Sequence, residues 1–415
     1  MQRSHLLAAA LLPLCTPVLT AQGPARLVTL TRSAPGLHVF DIQNCTQVDH
    51  CAPLPLPTPL PPVVQGAGDL AWDPHTRGAW ITDGFRLAKV DDQCQVQCPV
   101  TPLPAGNGVV SGLEVFESRN RLFSIDTAGV LTQWIPSCPP TVVSSCQTGL
   151  TGPAGNFTPT GIAIDEGLGY VFYAITDFGT GDNALAVATV QDPCTILQRI
   201  QVQACPSSTL PFQNLEGLTV DWCNRVLYAT DGRRTMALNY QIGIVGIAIT
   251  GQTCCPPLAI TQDRYSGIAI RPGREEPFGQ ACSNGLCPNC PMRHSLGNDP
   301  NVGNARFFLR TAGVPRLSLV WNLIGLGPCN NAPVLPPLCG PIHTNPLGGV
   351  LGPFLPVAST TGACDGFVGV SVGVPPDPYF CGIVVSSQAL ALCFDVSGGF
   401  GTSLSNCVTF ECQGN

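Results

Sequence analysis

The chain has 415 residues, of which 11% are charged, with a formal net charge of −7, 45 Gly and 41 Pro. Gly and Pro are the poorest helix formers, so long helices are disfavoured. The acidic balance excludes nucleic acid as the main partner, because that would need a basic face. With 44% hydrophobic residues the chain is not of the disordered class, and its length allows two domains with a large core.

At the N-terminus, Arg3 and His5 precede the apolar run Leu6–Leu14. That run has the length of a signal-peptide core and is too short to span a bilayer. Residues 1–21 therefore read as a signal peptide cleaved after Ala21. No later stretch is long and apolar enough for a transmembrane segment, so the expected location is secreted, cell-surface or periplasmic. Twenty-two cysteines in an exported chain imply disulfides. Losing Cys15 with the signal leaves an odd number, hence at least one thiol that is left over or pairs between chains. Asn44-Cys-Thr46 and Asn156-Phe-Thr158 are glycosylation acceptors only in a glycosylating host.

From residue 26 the period is two, and one unit recurs. Leu70-Ala-Trp-Asp-Pro-His-Thr-Arg-Gly-Ala-Trp-Ile-Thr-Asp-Gly84 aligns position for position with Leu218-Thr-Val-Asp-Trp-Cys-Asn-Arg-Val-Leu-Tyr-Ala-Thr-Asp-Gly232. Further copies begin at Leu113, Ile162 and Ile268. Each pair of strands leads to a third alternating strand and a Pro-containing fourth. Four short strands per unit make the blade of a β-propeller. The last copy stops after Ser266–Arg271, and Leu27–Arg32 with Gly36–Asp41 supplies the missing strands. The two ends should share one blade, which removes the open edges of the ring. This gives a propeller over 26–273 with five blades, or six if the interval 162–218 hides a degenerate unit.

Cysteines follow the third strand at Cys45, Cys94, Cys138 and Cys194, and a second one follows at Cys51, Cys98, Cys146 and Cys205. The expected arrangement is one hairpin disulfide per blade. Cys223 and the vicinal Cys254-Cys255 fall outside that scheme.

The Asp-Trp…Leu-Tyr-Ala-Thr-Asp core resembles the YWTD repeat of receptor propellers, and Gly-Ile-Ala-Ile-Asp resembles NHL-type blades. The resemblance implies a propeller and says little about activity. It also implies that Asp83, Asp126, Asp177 and Asp231 accept hydrogen bonds from backbone.

Residues 274–302 read as a Cys-rich linker holding Cys282, Cys287 and Cys290. Cys287-Pro-Asn-Cys290 with Cys282 and His294 could form a zinc site, although bridging suits a disulfide-rich chain better. Strand patterns at 305–311, 316–324, 350–357, 366–374, 381–393 and 405–411 give 303–415 as a small antiparallel β-sandwich. Its expected staples are Cys329/Cys339, Cys364 with Cys381 or Cys393, and Cys407/Cys412. The Gly303-Asn304…Phe-Leu-Arg310 opening and the Leu-Ile-Gly-Leu-Gly turn at 323–327 resemble a C-terminal domain found on many exported planctomycete proteins.

No nucleophile elbow, zincin helix, phosphate loop or dinucleotide fingerprint is present. His38, His50, His75, His294 and His343 show no ligand spacing. Candidate ligand-binding residues come from the loops entering the inner strands and joining strands two and three: Asp69, Asn214, Glu216, Arg233, Arg234 and Arg264. The arginines suit an anionic group. The expected function is a binding or surface-scaffold module for a protein or glycan ligand, without catalysis or cofactor. The alternative is a metal-dependent hydrolase at the channel mouth, holding Ca²⁺ through Asp69 and Glu216. Asn214-Leu-Glu216-Gly-Leu resembles the entry strand of lactonase-like or phytase-like propellers.

Overall fold

A computed structural model of the chain describes residues 26–414, apart from 32–35, 42–44, 53, 55–67, 104–107, 152–156, 204–213, 233, 245, 256–264, 272–275, 345–348, 359–361 and 395–397. The signal segment with Cys15, both sequon asparagines and Cys205 lie outside the described residues. The described chain is all-β, with one 3₁₀ turn at Pro378–Phe380. No helix among the described residues is long and apolar enough to cross a membrane.

Five four-stranded antiparallel sheets follow one another between Arg26 and Arg271. Four are built from consecutive strands, with inner strands Asp69–Asp73, Val110–Phe116, Phe157–Asp165 and Gly217–Asp221. The remaining sheet joins the two ends of this region: Tyr265–Arg271 pairs with Arg26–Thr31, from Arg26 opposite Arg271 to Leu30 opposite Gly267. Leu37–Asp41 and Thr46–Cys51 complete it. The ring is therefore closed by main-chain hydrogen bonds between its first and last strands.

The inner strands pack edge against edge at near-backbone distance. They align on Asp69, Gly112, Gly161, Gly217 and Gly267. A Cβ built on Gly161 would lie 2.7 Å from Leu218 N, and one on Gly217 would lie 2.9 Å from Gly267 Cα. Only glycine permits that approach. The recurring Gly of the repeat is thus explained by the spacing at the axis.

Both aspartates of the repeat cap turns. Asp83 Oδ1 accepts from Phe85 N at 2.9 Å and Arg86 N at 2.7 Å. Asp126 Oδ1 accepts from Ala128 N at 3.0 Å and Val130 N at 2.8 Å. Asp177 accepts from Gly179 N at 2.8 Å and Asp231 from Arg234 N at 2.7 Å. At the other end of each hairpin, Asp73, Asp165 and Asp221 hold the N–H groups of His75, Leu168 and Asn224. Asx turns of this kind fix two-strand connections locally.

The disulfides differ from the expected hairpin staples. Cys45–Cys255, Cys51–Cys94, Cys98–Cys138 and Cys146–Cys194 each link one blade to the next. Cys254 is disulfide-bonded as well. The reason is geometric: the Cys ending one outer strand meets the turn of the neighbouring blade, so these bonds form a belt around the rim. The outer strands are the most exposed of each blade, and the belt supplies what little apolar burial supplies there.

Residues 274–302, read as a linker, contribute strands instead. Glu276–Phe278 and Cys282–Ser283 pair with Phe400–Glu411, and Arg293–Leu296 pairs with Phe308–Val314. They belong to two sheets. One runs Glu276–Phe278, Phe400–Glu411, Val384–Phe394, Ser318–Leu326 and Gly349–Phe354. The other runs Arg293–Leu296, Phe308–Val314, Gly366–Ser371 and Val357–Ala358. Met292, Val314, Val320, Val368, Val370, Ala389 and Ala391 pack together in one buried cluster drawn from both sheets. The cysteine partners again differ from expectation: Cys282–Cys339, Cys287–Cys393, Cys290–Cys364 and Cys329–Cys407. Cys287 and Cys290 are thus not zinc ligands. Cys381 bonds Cys223 in blade five, and Cys412 is a buried free thiol, its pKa pushed up to about 12 by burial and by Glu411.

The C-terminal sheets pack on the ring. Leu218, Val220 and Trp222, in and just after the inner strand Gly217–Asp221, share one apolar cluster with Val302, Phe307, Val408 and Phe410.

Two outcomes follow from this packing. Peptide mapping without reduction should join peptides of adjacent blades, and replacing Cys98 and Cys138 with Ser should cost up to about 4 kcal/mol in urea unfolding. Gly161→Ala should lower stability by about 1–3 kcal/mol, the usual cost of overpacking.

Candidate functional site

Asp69 is fully buried at the axis. Its Oδ1 accepts from Leu70 N at 2.8 Å and its Oδ2 from Leu113 N at 2.8 Å, and Ile268 N also bonds the carboxylate. One side chain thereby ties three inner strands. Burial pushes its pKa well up, and the three N–H groups work against that rise.

Glu216 is 1% exposed, and its N–H donates to Thr230 O at 2.7 Å. Asn214 sits half-buried just before it. Arg234 is 1% exposed, its Nη2 2.8 Å and its Nε 2.9 Å from Asp231 Oδ2. That guanidinium pairs with the aspartate of its own turn. Arg233 and Arg264 lie outside the described residues. The polar residues level with Glu216 also serve the backbone: Ser111 Oγ donates to Pro159 O of the next blade at 2.7 Å. Among the described residues no group of three or more His, Cys, Asp or Glu is placed to hold a metal ion.

One arrangement looks catalytic and is not. His294 Nε2 lies 3.0 Å from Ser387 Oγ and Nδ1 lies 2.8 Å from Thr311 Oγ1. All three residues are at most 2% exposed. Burial lowers the imidazole pKa to about 3, so it stays neutral and links the two sheets of the sandwich.

The ionisable groups the sequence reading missed lie at the opposite end of the axis. Glu114 is buried, its pKa raised well up by burial and by Asp69, while Ile164 N bonds it. Aligned inner strands carry Ala71, Ala163, Thr219 and Ala269 at that position, so the charge stood out once the copies were stacked. Below it, the turns closing each inner hairpin meet the C-terminal residues. Asp299 accepts from Trp72 Nε1 and from Arg77 Nε, each at 2.9 Å, and its N–H donates to Pro74 O at 3.0 Å. Glu117 Oε1 accepts from Asn301 Nδ2 at 2.6 Å. Glu166 accepts from the N–H groups of Glu117 and Ser118. Desolvation raises Glu166 to about 7, opposed chiefly by its Ser118 bonds.

No family model matches the chain, and no curated protein matches it. Among solved structures it is similar to U3-55K, at 10% identity over 56% of this chain and 78% of that one, with a TM-score of 0.34. It is also similar to a Myxococcus xanthus glutaminyl cyclase, at 15% identity over 47% of this chain and 77% of that one, TM-score 0.33. The Swd1 β-propeller domain of Myceliophteria thermophila matches at 9% identity over 70% of this chain and 80% of that one, TM-score 0.32. Likenesses this distant carry no functional argument; the fold rests on the strand pairings themselves.

Asp69→Ala should destabilise the protein by about 3 kcal/mol or more, since each orphaned buried N–H costs about 1–3 kcal/mol. Asp69→Asn, which keeps an acceptor, should cost clearly less. Equal losses in chemical denaturation would refute the strand-tying role.

Proposed function

We propose that this chain is an exported, disulfide-belted β-propeller that works as a binding or scaffold module for a protein or glycan. The observation that carries this reading is the asymmetry of the ring. The C-terminal residues occupy the end where the inner hairpins turn, with Asp299 on Trp72 and Arg77. The opposite end, where the inner strands begin at Asp69, Val110, Phe157, Gly217 and Tyr265, is the one left for recognition. Asp69, one of the two carboxylates that a Ca²⁺-dependent hydrolase at the mouth would use with Glu216, accepts from the backbone of Leu70 and Leu113, which favours the binding reading. The turn-capping aspartates and the axial glycines favour the YWTD- or NHL-like assignment, and the disulfides suit an oxidising compartment outside the cytosol.

Binding to a glycan array and to extracellular protein fractions, followed by replacement of 104–107 and 256–264 with Gly-Ser, tests this. Saturable binding that vanishes in the replaced protein, at unchanged melting temperature, is the expected result. Ca²⁺-dependent turnover of a lactone or phosphoester that is lost in Glu216→Ala would overturn it.

A further inference from the structure

The joint between the ring and the C-terminal sheets holds two unmatched oxygens. Asn301 Nδ2 donates to Glu117 Oε1 at 2.6 Å. The other oxygen of each residue, Glu117 Oε2 and Asn301 Oδ1, is buried and meets no hydrogen-bond donor among the described residues. Glu117 is 4% exposed and Asn301 0%. Two buried acceptors left over beside an already bonded carboxyl and amide lack one donor between them, and a neutral carboxylic acid carries that donor. One proton on Oε2 satisfies both, closing an eight-membered ring of two hydrogen bonds.

We propose that this joint is latched by a proton. Glu117 is a neutral carboxylic acid whose Oε2–H donates to Asn301 Oδ1 while Asn301 Nδ2 donates back to Oε1, and release of that proton to solvent loosens the C-terminal sheets from the ring.

The surroundings favour the neutral acid. Burial and the carboxylates of Glu166, Asp299 and Asp73 all push the Glu117 pKa up, against the single opposing bond from Asn301. The nearby cations are engaged elsewhere: Lys89 on Asp73, Arg77 on Asp299, and Arg119 beside Glu166. His75 Nε2 lies 3.1 Å from Glu117 O, the backbone carbonyl and not the acid. Of the coupled pair, Glu166 is the better anion, since two backbone N–H groups and Ser118 serve it.

The sign of the pH effect follows. The folded-state pKa of Glu117 lies above the ordinary Glu value near 4.5. The latch is therefore fully present below that value, and its contribution is lost as pH rises toward the folded pKa. In that window this one proton makes the unfolding constant grow about tenfold per pH unit. Because the Cys223–Cys381 disulfide tethers the two parts, opening exposes the joint without separating them.

The test uses the full oxidised chain. Unfolding constants and hydrogen exchange at 299–304, corrected for intrinsic rates, are measured from pH 5 to 8 for the native protein and for Glu117→Gln. The amide of the variant makes the same ring without a titrating proton. The expected result is a slope reduced by about tenfold per pH unit, and protection of 299–304 that no longer falls with pH. Infrared spectra should show a protonated-carboxyl band in the native protein that is missing in Glu117→Gln, a readout a purely structural role would not move. An unchanged slope in the variant, or no such band, overturns the proposal. So does a Ca²⁺-induced rise in stability that is lost in Glu117→Gln, which would make the paired oxygens a cation site.

Discussion

The close approach of the inner strands constrains everything else in this molecule. A strand at the centre of a ring has one free edge, and its N–H and C=O groups must be satisfied there. In a wide ring water can do this. Here Gly112, Gly161, Gly217 and Gly267 bring the edges to backbone contact distance, and the protein supplies its own acceptors. Asp69 serves Leu70, Leu113 and Ile268, and Glu114 serves Ile164. Polar side chains at the axis are therefore part of the main-chain bonding. A reading that takes polar residues near a channel mouth as a ligand site counts the same lone pairs twice.

The rim solves the opposite problem. Outer strands pair on one side only and are the most exposed of each blade, so little apolar burial holds neighbouring blades at that radius. A disulfide within a hairpin would join strands already bonded by the sheet. One between blades closes a longer loop, 40 to 48 residues in three of the four bonds, and on the chain-entropy account contributes roughly 1–2 kcal/mol more than a short hairpin bridge. It also resists rotation of one blade against the next, which main-chain pairing cannot do.

Much of this was legible in the residues because it is periodic. The repeat gave five four-stranded units, and the truncated last copy pointed to Leu27–Arg32 as its missing strand; the observed pairing of Leu27 with Ile270 agrees. The turn role of Asp83, Asp126, Asp177 and Asp231 is local, and local chemistry reads well. Cysteine partners did not read, since Cys51 finds Cys94 through the angle between two sheets, which no spacing encodes. Residues 274–302 misled for a related reason. Their Pro, Gly and Cys content looks like a linker, yet Asp299 and Asn301 dock on turns more than 180 residues away. The backbone bonds of Asp69 to Leu113 and Ile268 did not read either, because its neighbours' N–H groups meet it only when the ring is closed.

The buried carboxyls form one series along the ring and into the joint. Asp69 raises the pKa of Glu114, Glu166 raises that of Glu114 and Glu117, and Asp299 and Asp73 raise that of Glu117 further. Cations reach the series at Asp73, Asp299 and Glu166; among the described residues no ion pair involves Asp69 or Glu114. Like charges this deeply desolvated cannot all be ionised together. Adding a negative charge anywhere along the series raises proton affinity elsewhere. The groups that close the ring and the groups that hold the C-terminal sheets are thus coupled through charge, since Glu166 raises the proton affinity of both Glu114 and Glu117.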